Sequence, residues 1–229
     1  NGLRTAKGTD WAFTVFIIDS SNDADGCFSD GYFAYAYLGG PYIVMTYDNN
    51  GWGITRMNQV MAHETGHMFW ATDEYDGITE FSGYLNAAKI EGSGCLMDTN
   101  ALVLSSGTKL QIGWRDTDGD TILDIIDTDP ETVLTPYPQN PTPNQILTYT
   151  GFATEVPYPN NNPQPGNAGN DVTINRIILV VYRIDNGTWN AAIPSDGFFD
   201  SPVENYTFTT PPLPHGPHLI EAFLSLIHI

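Results

Sequence analysis

His63, Glu64, Thr65, Gly66 and His67 place two imidazoles four residues apart, with a carboxylate beside the first. On a helix, positions i and i+4 lie on one face, so the two rings can share one metal ion. Glu64 then stands where it could take a proton from a water activated by that ion, the base step of zinc-dependent hydrolysis. Chance explains the pattern poorly, because only five histidines occur in 229 residues. The other three, His215, His218 and His228, lie near the C-terminus, so the third metal ligand is expected to be an acid. Asp73, Glu74 and Glu91 are the candidates.

The run from His63 to Tyr75 resembles the metzincin clan of zinc peptidases. More narrowly, it resembles a group of secreted microbial metallopeptidases in which an Asp-Glu-Tyr triplet closes the zinc helix. Asp73 falls six residues after His67, the spacing of the third ligand in the clan's H-E-x-x-H-x-x-G-x-x-H/D pattern. The resemblance therefore ranks Asp73 first. It also implies a Met-turn beneath the metal, and Gly94-Cys95-Leu96-Met97-Asp98 fits with Met97 at its centre. The chain departs from the pattern at one position: the clan's glycine, which lets the chain leave the helix, is Trp70 here. A helix running on through Thr72 would instead offer Glu74, or Glu91 in the manner of thermolysin-like enzymes, although Ile90 and not Asn precedes Glu91. The activity implied is endopeptidase action on a protein or peptide substrate, with Glu64 as general base and Tyr75 the nearest tyrosine able to steady an oxyanion.

Elements upstream must position this helix. Trp11 to Asp19 is apolar and β-branched, as a buried strand would be; Tyr32 to Leu38 and Tyr42 to Tyr47 read as further strands split by Gly39-Gly40-Pro41. Thr55 is a plausible N-cap for the motif helix. The resemblance assigns Tyr42 to Tyr47 to the cleft rim, pairing with an extended substrate by β-augmentation, while the residues themselves suit an ordinary interior strand equally well. Two cysteines, Cys27 and Cys95, permit one disulfide between the early acidic loop and the Met-turn, or two free thiols.

Asp116, Asp118, Asp120, Asp124 and Asp127 stand at relative positions 1, 3, 5, 9 and 12 of a loop rich in hard oxygen ligands, which suits calcium. The run resembles the D-x-D-G-D repeats of thrombospondin type 3 and dockerin-like modules. Prolines 136, 138, 141 and 143 then mark a linker. Beyond it, Gln145 to Val156, Val172 to Ile184, Trp189 to Ile193, Tyr206 to Thr210 and His218 to Phe223 have strand character, with Asp185-Asn186-Gly187 as a hairpin turn. That is the spacing of an immunoglobulin-like or fibronectin type III-like sandwich.

The expected architecture is thus α+β, a metzincin-like catalytic domain truncated at its N-terminus, followed by an all-β sandwich. Its bounds are 1–115 catalytic, 116–129 calcium loop, 130–144 linker and 145–229 sandwich. Leu224 to Ile229 suit no obvious strand pairing. With 27 acids against 8 Lys+Arg the net charge is −19, which disfavours nucleic acid and anionic membranes. No run of apolar residues is long enough to span a bilayer. These features suit a secreted, extracellular or cell-surface enzyme using Zn2+ and Ca2+, with a cell-surface or polysaccharide partner for the sandwich. Two competing expectations stand beside it: a calcium-dependent adhesion or wall module with a structural or vestigial zinc site, and a zinc hydrolase acting on bonds other than peptides.

Overall fold

Short apolar runs interrupted by Gly, Asn and Pro cannot build long elements, and the chain accordingly folds into many short ones. The computed structural model describes residues 2–9, 11–164 and 171–227. In chain order the elements are α1 (Gly2–Lys7), β1 (Thr14–Ile18), β2 (Ala34–Ala36), β3 (Tyr42–Thr46), α2 (Met57–Met68), β4 (Phe81–Ser82), β5 (Ala87–Ala88), α3 (Leu96–Thr99) and α4 (Ser106–Gln111). There follow β6 (Glu131–Leu134), β7 (Thr148–Thr154), β8 (Arg176–Ile184), β9 (Asn190–Ala191), β10 (Ile193–Pro194), β11 (Val203–Thr209) and β12 (Ile220–Ile227). They form two units, Asn1–Leu123 with Pro159–Asn170, and Asp124–Tyr158 with Asp171–Ile229. Among the described residues no helix is long and apolar enough to cross a membrane.

The first unit is mixed α and β. Its main sheet has the order β1-β3-β2, with β1 parallel and β2 antiparallel to β3. β3 is therefore central, with Ile43 and Met45 fully buried. Of the two readings of Tyr42 to Tyr47, this favours the interior strand and corrects the cleft rim: hydrogen bonds to strands on both sides leave β3 no edge to offer, and among the described residues the antiparallel edge belongs to β2. The expected burial of Trp11 to Asp19 is also not found. β1 sits at the sheet margin, and Phe16, Ile17 and Ile18 are each about half exposed. Nor does Thr55 cap α2. It lies inside a single 3-10 turn, Ile54–Arg56, that runs directly into the helix, and Arg56 occupies the cap position without a side-chain bond.

The second unit packs two antiparallel sheets, β10-β11-β7-β6 and β12-β8-β9, over one apolar core. Ala153, Ile177, Val180, Tyr206, Phe208 and Leu224 fill it, contributed by strands of both sheets. Phe208 stacks on Tyr182 at 3.9 Å between ring centroids and on Tyr149 at 5.4 Å. The expected hairpin turn is present, with Asp185 at φ 50° and Asn186 at φ 58°; two consecutive left-handed residues give the twist that suits a two-residue hairpin loop.

Two boundaries differ from expectation. The stretch expected as a linker, 130–144, contributes β6, which pairs with β7 through Val133 and Phe152. The terminal stretch from Leu224 is not idle either: β12 continues to Ile227 beside β8, its register shifting between Ser225 and Leu226. That irregularity disguises the pairing in the sequence, because alternation breaks where the register slips. His228 and Ile229 lie outside the described residues.

Candidate metal centre

α2 carries His63 and Glu64, which are 6% and 5% exposed, and half-buried His67 one turn on. How the helix stops decides whether a third ligand can reach them. Trp70 N donates to His67 O and Ala71 N to Gly66 O, both at 3.1 Å, the paired bonds of a Schellman stop. Such a stop needs a left-handed residue at the place of Trp70, most often glycine. Trp70 adopts it with φ 68°. For a residue with a Cβ that conformation costs roughly 1–2 kcal/mol. Two contacts offset it. Ser82 Oγ donates to Trp70 O at 2.8 Å, and the indole lies so close to Gly39 that a Cβ there would come within 2.3 Å of the ring. The glycine missing from the helix end is, in effect, supplied opposite the tryptophan.

The chain therefore leaves the helix at the expected residue and brings Asp73 back to the histidines. His63 Nε2 lies 3.0 Å and His67 Nε2 3.5 Å from Asp73 Oδ1. Ligands at tetrahedral zinc, about 2.0–2.1 Å from the ion, stand roughly 3.3 Å apart, so the three atoms suit one ion. The opposite ring nitrogens are fixed by backbone carbonyls: His63 Nδ1 donates to Leu96 O and His67 Nδ1 to Ala71 O, each at 2.8 Å. A carbonyl can only accept, so Nδ1 carries the proton and Nε2 keeps its lone pair for the shared point.

Electrostatics favour positive charge there. Burial opposes charging His67, yet the hydrogen bond and charge of Asp73 override it and raise its pKa above the ordinary value. Burial likewise works to raise Asp73, but His63 and His67 hold its carboxyl well below the usual range. Glu64 lines the same cleft as the triad and feels its charges. Burial lifts its pKa, which His67 and His63 partly counter and Asp73 reinforces. Its Oε2 is buried without a hydrogen-bond partner among the described residues, and such an atom is normally satisfied by water or substrate.

Neither alternative third ligand joins the histidines. Glu74 is fully buried and accepts hydrogen bonds from Ser93 Oγ at 2.5 Å, Ser105 Oγ at 2.6 Å, Thr108 Oγ1 at 2.9 Å and Cys95 Sγ at 3.1 Å. These donors outweigh burial and hold its pKa below the ordinary carboxylate value. Glu91 pairs with Lys89 at 2.9 Å and accepts from Gly77 N at 3.0 Å. Lys89 is itself buried. Besides Glu91, its ammonium donates to the Asp73 carbonyl at 2.8 Å and pairs with Asp76, clamping the segment that carries the third ligand.

Met97 is fully buried, and its sulfur would lie 2.6 Å from a Cβ placed on Gly66. The thioether thus packs beneath the helix next to His67, which explains a glycine inside the motif. The disulfide allowed between Cys27 and Cys95 is not formed; both thiols are free. Cys95 is committed to Glu74 and to capping α3 by accepting from Met97 N, while Cys27 sits over the carbonyl of Asp25.

A cleft of about 300 Å³ opens over the triad, and β2 with Tyr32 and Tyr35 forms one wall. Tyr75 stands on the other side, its ring 6.4 Å from that of His63 and near parallel to it. Separately, Asp116, Asp118 and Asp120 bring their carboxylates within 4.8 Å of one another on the surface. Three of the five aspartates expected in that loop are thus grouped, and Asp124 and Asp127 belong to the second unit.

Lys89, Gly39 and the wall residues Tyr32 and Tyr35 are contributors that the sequence reading does not single out. Lys89 alone carries a signal, as one of only 8 basic residues in the chain and one set in an otherwise apolar stretch. Comparison with family models, with curated proteins and with solved structures gave no match, so the geometry of these side chains carries the functional argument.

Proposed function

We propose that the chain is a zinc-dependent endopeptidase of metzincin type, exported from the cell and stabilised by calcium. The observation that carries this reading is the convergence of His63 Nε2, His67 Nε2 and Asp73 Oδ1 on one point beside the unpartnered Oε2 of Glu64. His63, His67 and Asp73 hold the ion. When bound, zinc supplies Lewis acidity, making a water acidic near neutral pH and polarising a carbonyl.

The remaining work belongs to the chain. Glu64 takes a proton from the attacking water and returns it to the leaving nitrogen; a carboxylate with a raised pKa is better suited to giving the proton back. The free edge of β2 aligns an extended peptide over the triad by backbone pairing. In this reading Tyr75 donates its hydroxyl toward a developing oxyanion, and burial together with the Asp73 charge keeps that hydroxyl protonated. Asp116, Asp118 and Asp120 offer three carboxylates for calcium, whose charge relieves their mutual repulsion.

The competing reading, an adhesion module with a vestigial site, is less well supported, because nothing structural requires Glu64 to be a buried carboxylate without a partner. The experiment is Glu64→Gln. This variant should retain zinc at wild-type stoichiometry and lose at least about a hundredfold in casein cleavage. Persistent cleavage would remove Glu64 from the base role, and an inactive wild type with full metal would remove the peptidase reading.

A further inference from the structure

A second concave site lies wholly within the β-sandwich unit. The β6–β7 loop and the β11–β12 loop enclose a pocket of about 500 Å³ at one end of the two sheets. The loops are tied to each other as firmly as strands: Thr210 N donates to Leu147 O and Leu213 N to Gln145 O, both at 2.9 Å. A strut braces the second loop. His218 uses both ring nitrogens, one on Asp185 Oδ2 at 2.6 Å and the other on Pro214 O at 2.8 Å, while Leu219 N donates to Asp185 Oδ1. Four prolines, Pro136, Pro141, Pro214 and Pro217, stiffen the wall. Loops fixed in this way lose little entropy when a ligand enters.

The lining indicates what would enter. In a chain with 27 acids, it contains no Asp, Glu, Lys or Arg. Its titratable side chains are His215 and His218, and His218 is already engaged by Asp185, so an ionic ligand would give up its hydration there for little free counter-charge. What the pocket does offer is an aromatic face and planar amides. Tyr137 leans on Tyr149 at 5.7 Å between centroids, and Tyr149 stacks on core Phe208, so the phenol platform is anchored to the sandwich interior. Around it stand the amide side chains of Gln139, Asn140 and Gln145. Each amide presents a donor and an acceptor side by side, which matches adjacent hydroxyl groups, and the ring face matches the apolar C–H face of a pyranose.

We propose that this pocket binds a neutral carbohydrate chain, so that the second unit places the molecule on a polysaccharide surface. A proline-rich peptide is the less favoured occupant, because proline has no N–H to donate and would leave most of the amide oxygens unmatched. The inference is independent of the peptidase reading, since binding is measured without any bond cleavage.

The test is calorimetric titration of the full chain with neutral cello-, xylo-, malto- and chito-oligosaccharides, with an anionic uronic-acid oligosaccharide and a proline-rich peptide as further ligands. At least one neutral sugar is expected to bind. Tyr137→Ala should weaken it about tenfold and Tyr137→Phe should leave it nearly unchanged, as loss of a stacking face and not of the hydroxyl predicts. Should Tyr137→Ala disturb the Tyr149 packing, the exposed double variant Gln139→Ala/Asn140→Ala gives the same reading with the core untouched. Failure of all neutral sugars to bind, binding insensitive to both variants, or binding of the peptide or the acidic sugar alone would overturn the proposal.

Discussion

The two units differ in how many polar side chains they bury completely. In the first, the fully buried side chains include Glu74, Gln111 and Asn49, and apolar residues such as Phe16 and Ile17 lie exposed on β1. In the second, the interior is an aromatic and aliphatic stack of Phe208, Tyr206, Ile177 and Val180. A buried carboxylate with four donors adds little net stability compared with apolar packing, but it fixes geometry, because each donor has one acceptable direction. Around the candidate ligand atoms the first unit adds such bonds to its apolar core. The unit that presents loops is built on packing.

Substitutions can break this contrast, and the largest effect should come from the apolar core. Phe208→Ala removes a ring sandwiched between Tyr149 and Tyr182 and should destabilise the second unit by about 4 kcal/mol. Hydrogen exchange would register it as lost protection in β7, β8 and β11. Glu74→Ala leaves Ser93, Ser105, Thr108 and Cys95 without their acceptor. It should cost about 3 kcal/mol and, unlike the core variant, loosen zinc retention, because Asp73 is the neighbouring residue.

A smaller loss is expected at the helix exit. Gly39→Ala sets a methyl against the Trp70 ring at a backbone φ of 81°, and about 2 kcal/mol of destabilisation should appear in denaturant melts. Trp70→Gly relaxes the left-handed strain while losing the ring contact and should be nearly neutral. If it abolished zinc retention, the tryptophan would be doing more than ending the helix.

The smallest effects separate the units by pH. Glu74 has its pKa depressed, so its stabilisation is present above the ordinary 4.5 and is lost as pH falls through the lower folded value. The first unit should loosen in acid, and Glu74→Gln should flatten that dependence. His218 is shifted the other way, raised chiefly by Asp185. Its contribution is complete below the ordinary 6.5 and disappears as pH rises through the folded value. Exchange protection of the 210–219 loop should therefore fall toward alkaline pH, and Asp185→Asn should remove the trend.

Local chemistry was readable from the chain because it depends on spacing. The His63–Glu64–His67 face follows from the pitch of a helix and the Asp185–Asn186 turn from residues that tolerate positive φ, whereas Asp73 and Met97 were singled out by the resemblance to the metzincin pattern. Edges were not readable. A strand's own residues do not reveal whether it has one partner or two, so β3 read equally well as rim or interior strand, β1 was mistaken for the interior, and β12 was hidden by a register slip.

The sequence by itself determined which side chains could bind a metal and donate or accept a proton, since those are properties of residue type and short-range geometry. Only the tertiary structure decided which acid completes the triad. Glu74 and Asp73 are adjacent and chemically alike, and what separates them is that four donors from α3, α4 and their flanking residues enclose one while Trp70, turning over Gly39, aims the other at the histidines. That choice depends on contacts between residues 19 to 34 positions apart, and no local pattern encodes it.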